Sequence, residues 1–116
     1  MLVRVDPTAS EPLYAQIAAQ VRAEIGRGAL GEGDRLPPAR DLAAALEVNM
    51  HTVLRAYAEL RDEGLVEMRR RRGVIVRAAA AGRARVVGLA RELAAEATRQ
   101  GMSRAEVRRI VEGEWT

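Results

Sequence analysis

Residues 33–76 read GDRLPPARDLAAALEVNMHTVLRAYAELRDEGLVEMRRRRGVIV, and a change of period inside this stretch decides the fold. Arg35-Leu36 can make only a very short extended segment, because a residue that precedes proline is pushed out of the helical region. A helix then begins near Pro38, with Leu42, Ala43 and Leu46 marking its buried face. Glu47-Val48-Asn49 makes a turn, and Asn49 is suited to cap the next helix by accepting from a backbone N–H. That third helix is expected from Met50 to about Glu63, with Val53, Tyr57 and Leu60 inward and Gly64 as its stop. After Gly64 the period changes. Leu65 to Met68 and Val74 to Val76 are short apolar runs on either side of Arg69 to Gly73, the pattern of a two-stranded hairpin. Helix, turn, helix, hairpin predicts a winged helix-turn-helix, mostly α with a small β-hairpin. A lone hairpin is marginal in water, so its apolar side must lie on the helices.

Upstream, Ser10-Glu11-Pro12 reads as a helix start, with polar cap candidates and a proline in the first turn. Tyr14, Ile17, Val21 and Ile25 follow at spacings of three and four and form one apolar stripe on a helix ending near Arg27. Gly26, Gly28, Gly31 and Gly33 then allow a tight loop. Downstream, Ala78 to Gly82 reads as a linker, although alanine can also extend a helix through it. Val86, Leu89, Ala90, Leu93 and Ala97 make a further stripe ending at Gly101. Ser103-Arg104-Ala105-Glu106 matches a capping box for a final helix, with Val107, Ile110, Val111 and Trp115 read as its inward side. The expected organisation is a winged helix-turn-helix domain over 1–77 and a helical tail over 78–116.

The 116 residues suffice for one core and a small appendage, and are expected to be too few for this unit plus a full ligand-binding domain. With no Phe, one Trp and two Tyr, the core must be modest. There is no Cys, which excludes disulfides and thiolate zinc sites and makes a reducing cytoplasm the simplest setting. Neither a signal-peptide stretch nor a membrane-spanning run is present, so no membrane partner is expected. Net charge is only +3, but residues 65–85 alone carry +6. All the cations are Arg, which suits phosphate and base recognition and equally suits GC-rich codons.

Several words at fixed spacing carry a resemblance. Pro12-Leu13-Tyr14-Ala15-Gln16-Ile17, Gly33-Asp34-Arg35-Leu36-Pro37, Arg40-Asp41-Leu42-Ala43, Val48-Asn49, Thr52-Val53, Arg55-Ala56-Tyr57, Leu60 and Glu63-Gly64-Leu65 are similar to the GntR family of regulators. The likeness covers about residues 10 to 77, and the short tail resembles the YtrA-like subgroup. It implies a sequence-specific DNA-binding transcriptional regulator. It further implies a homodimeric repressor on a two-fold symmetric operator, of the kind that controls transporter operons, with two C-terminal helices serving dimerisation. The resemblance also marks Arg40 as a phosphate- or base-contacting residue and Gly73 as a wing glycine that lets backbone approach DNA. Three positions depart from the pattern. Pro38 stands where Ser is usual, and Met50 where many relatives outside the subgroup have Arg. Arg71 stands where a second wing glycine is common.

A helix in the major groove reads base edges, while phosphate contacts set register. The inward stripe of the third helix leaves His51, Thr52, Leu54, Arg55 and Ala58 nearer the outer face, with the capping Asn49 beside them. Arg55 is the foremost base-reading candidate and Thr52 a phosphate donor near the helix N-terminus. His51, the only histidine, either meets base or phosphate or is a solvated first-turn side chain. Arg69, Arg70, Arg71 and Arg72 at a hairpin tip can follow phosphates or enter a minor groove. For the tail, Val86, Leu89, Leu93, Val107, Ile110 and Trp115 are the expected dimer contacts, the alternative being that these helices fold back on their own domain. A cleft between the tail helices could hold a small-molecule effector, but no polar constellation identifies one. Without a Walker loop, a nucleophile elbow or histidine metal spacing, no enzymatic activity, cofactor or metal is expected. The competing reading is a sequence-independent architectural DNA-binding protein.

Overall fold

A computed structural model describes residues 1–115. It contains α1 (Leu13–Gly26), α2 (Ala39–Leu46), α3 (Met50–Asp62), β1 (Val66–Arg69), β2 (Gly73–Val76), α4 (Ala80–Arg99) and α5 (Arg104–Gly113). Five helices with one antiparallel hairpin form a winged helix-turn-helix followed by two further helices.

The apolar stripes meet as their spacing requires. Ile17, Val21 and Ile25 of α1 are fully buried against Val53, Tyr57 and Leu60 of α3, and Leu42 and Ala43 of α2 close the remaining side. One aromatic anchors this core. Tyr57 is fully buried and donates its hydroxyl to the Pro37 carbonyl at 2.7 Å, which ties α3 to the chain entering α2. Burial pushes that hydroxyl well above the ordinary tyrosine range, so it stays a donor.

Asn49 caps α3 as expected, its side chain accepting from the His51 N–H at 2.7 Å. Gly64 takes φ +81 at the end of α3, a left-handed turn that costs glycine little. Ser103 and Glu106 complete the capping box of α5. The start of α1 differs from expectation: Pro12 itself occupies the N-cap and no side chain caps the helix. Order there comes from elsewhere. Gln16 and Gln20, one turn apart on α1, hydrogen-bond the extended N-terminal chain: Gln20 accepts from the Arg4 N–H at 2.9 Å and Gln16 from the Asp6 N–H at 2.8 Å. Val3 is thereby held in the core.

The hairpin pairs Val66 with Val76 and Arg69 with Gly73. The short segment ahead of α2 docks along β2: Arg35 bridges Ile75, and the Leu36 N–H donates to the Val74 carbonyl at 2.8 Å. Leu65, Val66 and Val76 at the base of the hairpin are buried in the common core, which is how a two-stranded unit of marginal intrinsic stability persists.

Helix is the outcome at the point left open between linker and helix. Residues 80–82 belong to α4, and Ala80 and Ala84 pack into the core. The expected inward side of the last helix is a correction. No residue of α5 is buried, Ile110 is 52% exposed and Trp115 is 79% exposed. Val86, Leu89 and Leu93 are likewise exposed on α4. The apolar periodicity there marks a face this chain does not cover by itself. No described helix is long and apolar enough to cross a membrane.

Candidate nucleic-acid interface

Three elements converge on one cleft. The wing-side flank of α3, the N-terminal end of α2 and the inner side of the wing border a space of about 430 Å³, lined by Pro38, Leu54, Tyr57, Met68 and the guanidinium-bearing Arg35, Arg69, Arg71 and Arg72. The recognition helix thus stands beside a cationic wall.

Each candidate can now be placed. Asn49 is exposed at the N-cap of α3, and His51 and Arg55 are exposed and Thr52 partly exposed on its first two turns. Thr52 donates its backbone N–H to the Asn49 carbonyl at 3.0 Å, closing the first turn. Leu54, expected near the outer face, is 38% exposed and lies on the wing side of the helix, in the cleft. Arg40 is exposed in the first turn of α2, next to Ala39, which borders the cleft.

Arg55 has a partner that apolar spacing did not reveal. Its guanidinium carbon lies 3.8 Å from the centroid of the Tyr14 ring, a cation–π contact from α1 to α3. Tyr14 therefore does more than continue the α1 stripe: it braces Arg55 and limits the rotamers that flexible side chain can visit.

At the wing tip the four arginines have unequal surroundings. Arg69 pairs with Glu67 at 2.6 Å, whereas Arg70, Arg71 and Arg72 have no ion-pair partner among the described residues. Arg71 sits at φ +69 and Gly73 at φ +80, and the Arg72 N–H donates to the Arg69 carbonyl at 3.2 Å. The tip keeps a turn that favours glycine and places an arginine in it. Arg35, which spacing did not nominate, joins this group because its side chain runs along Gly73, 3.9 Å from where a Cβ would stand.

The far end of α3 is built differently. Glu63 accepts two hydrogen bonds from Arg22 of α1 at 2.9 and 2.8 Å and one from Arg91 of α4 at 2.5 Å. Burial alone would raise the Glu63 carboxyl, but the hydrogen bonds and charges of Arg22 and Arg91 outweigh it and hold the group below the ordinary glutamate range. A groove of about 800 Å³ runs between α1 and α4, floored by alanines and glycines and rimmed by Arg22, Arg27, Arg85, Arg91 and the carboxylates Glu11 and Glu92. Among the described residues no cluster of His, Asp or Glu could hold a metal ion.

A helix-turn-helix packed on a common core with an arginine-bearing wing defines a DNA-binding regulator of the winged-helix class. The pattern of the bacterial regulatory proteins, gntR family, matches residues 13–76, more than half of the chain, and the protein belongs to that family. It is 43% identical over 98 residues to the HTH-type transcriptional regulator Rv1152 of Mycobacterium tuberculosis, covering 78% of this chain and 81% of that one. It is 39% identical over 75 residues to the HTH-type transcriptional repressor YtrA of Bacillus subtilis, covering 65% of this chain and 58% of the relative. Among solved structures it resembles YtrA from Sulfolobus acidocaldarius, a GntR-family transcription factor, with 37% identity and a TM-score of 0.63 over 81% of this chain and 99% of that one. The protein is a short, YtrA-like GntR regulator rather than an enzyme.

Proposed function

We propose that this protein is a homodimeric repressor that reads a two-fold symmetric operator. The observation that carries the reading is the cleft between α3 and the wing, whose guanidiniums flank the helix that exposes His51 and Arg55 on its first two turns. In this reading α3 enters the major groove, and Asn49, His51 and Arg55 meet base edges. Thr52 and Arg40 hold phosphates beside them. Arg70, Arg71 and Arg72, free of carboxylate partners among the described residues, follow the backbone or enter the adjacent minor groove, with Gly73 allowing close approach. Arg69 shares its charge with Glu67 and contributes less.

Residues 1–77 serve as the reading head and 78–116 as the dimerisation tail. Val86, Leu89, Leu93, Val107, Ile110 and Trp115 cover one another between two copies, because most of this surface is exposed in the single chain and so large an apolar face needs a partner. Repression is the mode carried in the name of the Bacillus relative. The family likeness extends the proposal to a transporter operon as target and the cytoplasm as location.

Competition binding tests this. An operator duplex should be preferred over random duplex by about a thousandfold or more. Equal affinity for both would favour the architectural alternative and overturn sequence-specific regulation.

A further inference from the structure

The tail packs chiefly along α1, and arginines of α4 also reach the C-terminal end of α3. Glu59 and Glu63 lie one turn apart on α3 and share the same two cations: Arg91 of α4 reaches Glu63 at 2.5 Å and Glu59 at 3.4 Å, and Arg22 of α1 reaches them at 2.8 and 3.6 Å. Arg83 of α4 also donates to the Glu63 carbonyl, and Arg85 donates to the Gly26 carbonyl at the end of α1 at 2.8 Å. The contact beneath these bonds is long but built from small side chains. Ala80 and Ala84 are the buried residues of α4 that join the core, and beyond them the space between α1 and α4 opens into a groove with small residues on its floor and charged residues at its rim. Two smooth helices packed on small residues define their separation well and their relative tilt poorly. The guanidinium contacts supply what the packing lacks.

Tilt matters because α4 is a lever. Its 20 residues extend roughly 30 Å, so a swing of ~10° at the base displaces the far end by about 5 Å, more than one base-pair step of ~3.4 Å. We propose that the Arg91 contact to Glu63 and Glu59 fixes the angle between reading head and tail, and thereby sets the half-site spacing that the dimer accepts. Arg91 is then a positioning residue for operator choice that lies off the DNA-facing side. The inference rests on the homodimer reading.

The test uses the full chain and the half-site recovered from a random duplex pool, arranged as inverted pairs with spacers changed one base pair at a time. Arg91→Gln removes the charge while leaving the Arg22–Glu63 pair in place. The parent should sediment as a dimer and bind one spacing at least about tenfold tighter than its neighbours. Arg91→Gln should remain a dimer and bind a single half-site within about twofold of the parent, with spacing discrimination reduced to about threefold or less. Arg91→Lys, which can still pair with Glu63, should restore discrimination. An Arg91→Gln protein that keeps the parent's discrimination, weakens all spacings by one factor or sediments as a monomer overturns the inference. A monomeric parent instead overturns the dimer reading beneath it.

Discussion

Arg71 holds the left-handed conformation at the wing tip, φ +69, where glycine is the less strained choice. At this position local backbone energy and charge oppose one another. Replacement by glycine should relieve about 1 kcal/mol of strain and raise the melting temperature by a few degrees. The same change should weaken DNA binding and lower the magnitude of the salt slope by about 1. A variant that is neither more stable nor weaker on DNA would contradict the assignment. Tyr14 supplies the second case. Tyr14→Leu keeps an apolar side chain on α1 and removes the ring beneath Arg55, a contact worth about 0.5–1 kcal/mol. Operator affinity, measured by fluorescence anisotropy against random duplex, should fall by about two- to fivefold with the salt slope unchanged. Loss on both duplexes alike would make Tyr14 merely structural. Tyr14 was legible as part of a stripe but not as a brace, because periodicity reports which face of a helix a residue occupies and says nothing of the helix that crosses it.

The α2, α3 and hairpin elements were legible because several independent signals agree there. Asn49 caps, Gly64 stops, Val53, Tyr57 and Leu60 recur at helical spacing, and the period changes at Leu65. Two features were not legible. The docking of Arg35 onto β2 joins residues 40 positions apart, and no local pattern encodes that bridge. On α5 the pattern was read correctly as a face and wrongly as an inward one, since a stripe at Val107, Ile110 and Trp115 shows that cover is needed without saying which molecule provides it. The wing's electrostatic role is a property of the element. Replacing Arg69 to Arg72 together by Ala should abolish binding at moderate salt and reduce the salt slope by about three. Because Arg69 is already paired with Glu67, Arg69→Ala alone should have the smallest effect of the four single changes. Isothermal titration over a salt series measures both, and equal single effects would refute the distinction.

At the scale of the whole molecule, one carboxylate joins three helices. Glu63 receives Arg22, which is 5% exposed, and Arg91, and its lowered pKa links folding to pH. A carboxyl whose folded pKa is depressed contributes stability in full above its unfolded value, and that contribution is lost as pH falls through the folded value. Urea unfolding should therefore show stability falling on acidification below the ordinary carboxylate range. The difference between parent and Glu63→Gln should be largest near neutrality and should shrink in acid. A constant difference across pH would show that the charge of Glu63 is not what holds the helices together. This junction escaped the sequence reading, which placed Glu63 only at the end of α3. Its partners lie 41 and 28 residues away and meet it only once α1 and α4 have packed.

Sequencing the duplexes that this protein recovers from a random pool tests whether two copies of it read a defined DNA sequence. A two-fold symmetric motif is expected, with half-sites separated by about one helical turn of ~34 Å. Recovery of duplexes with no common motif, at an affinity equal to that of the starting pool, would contradict it.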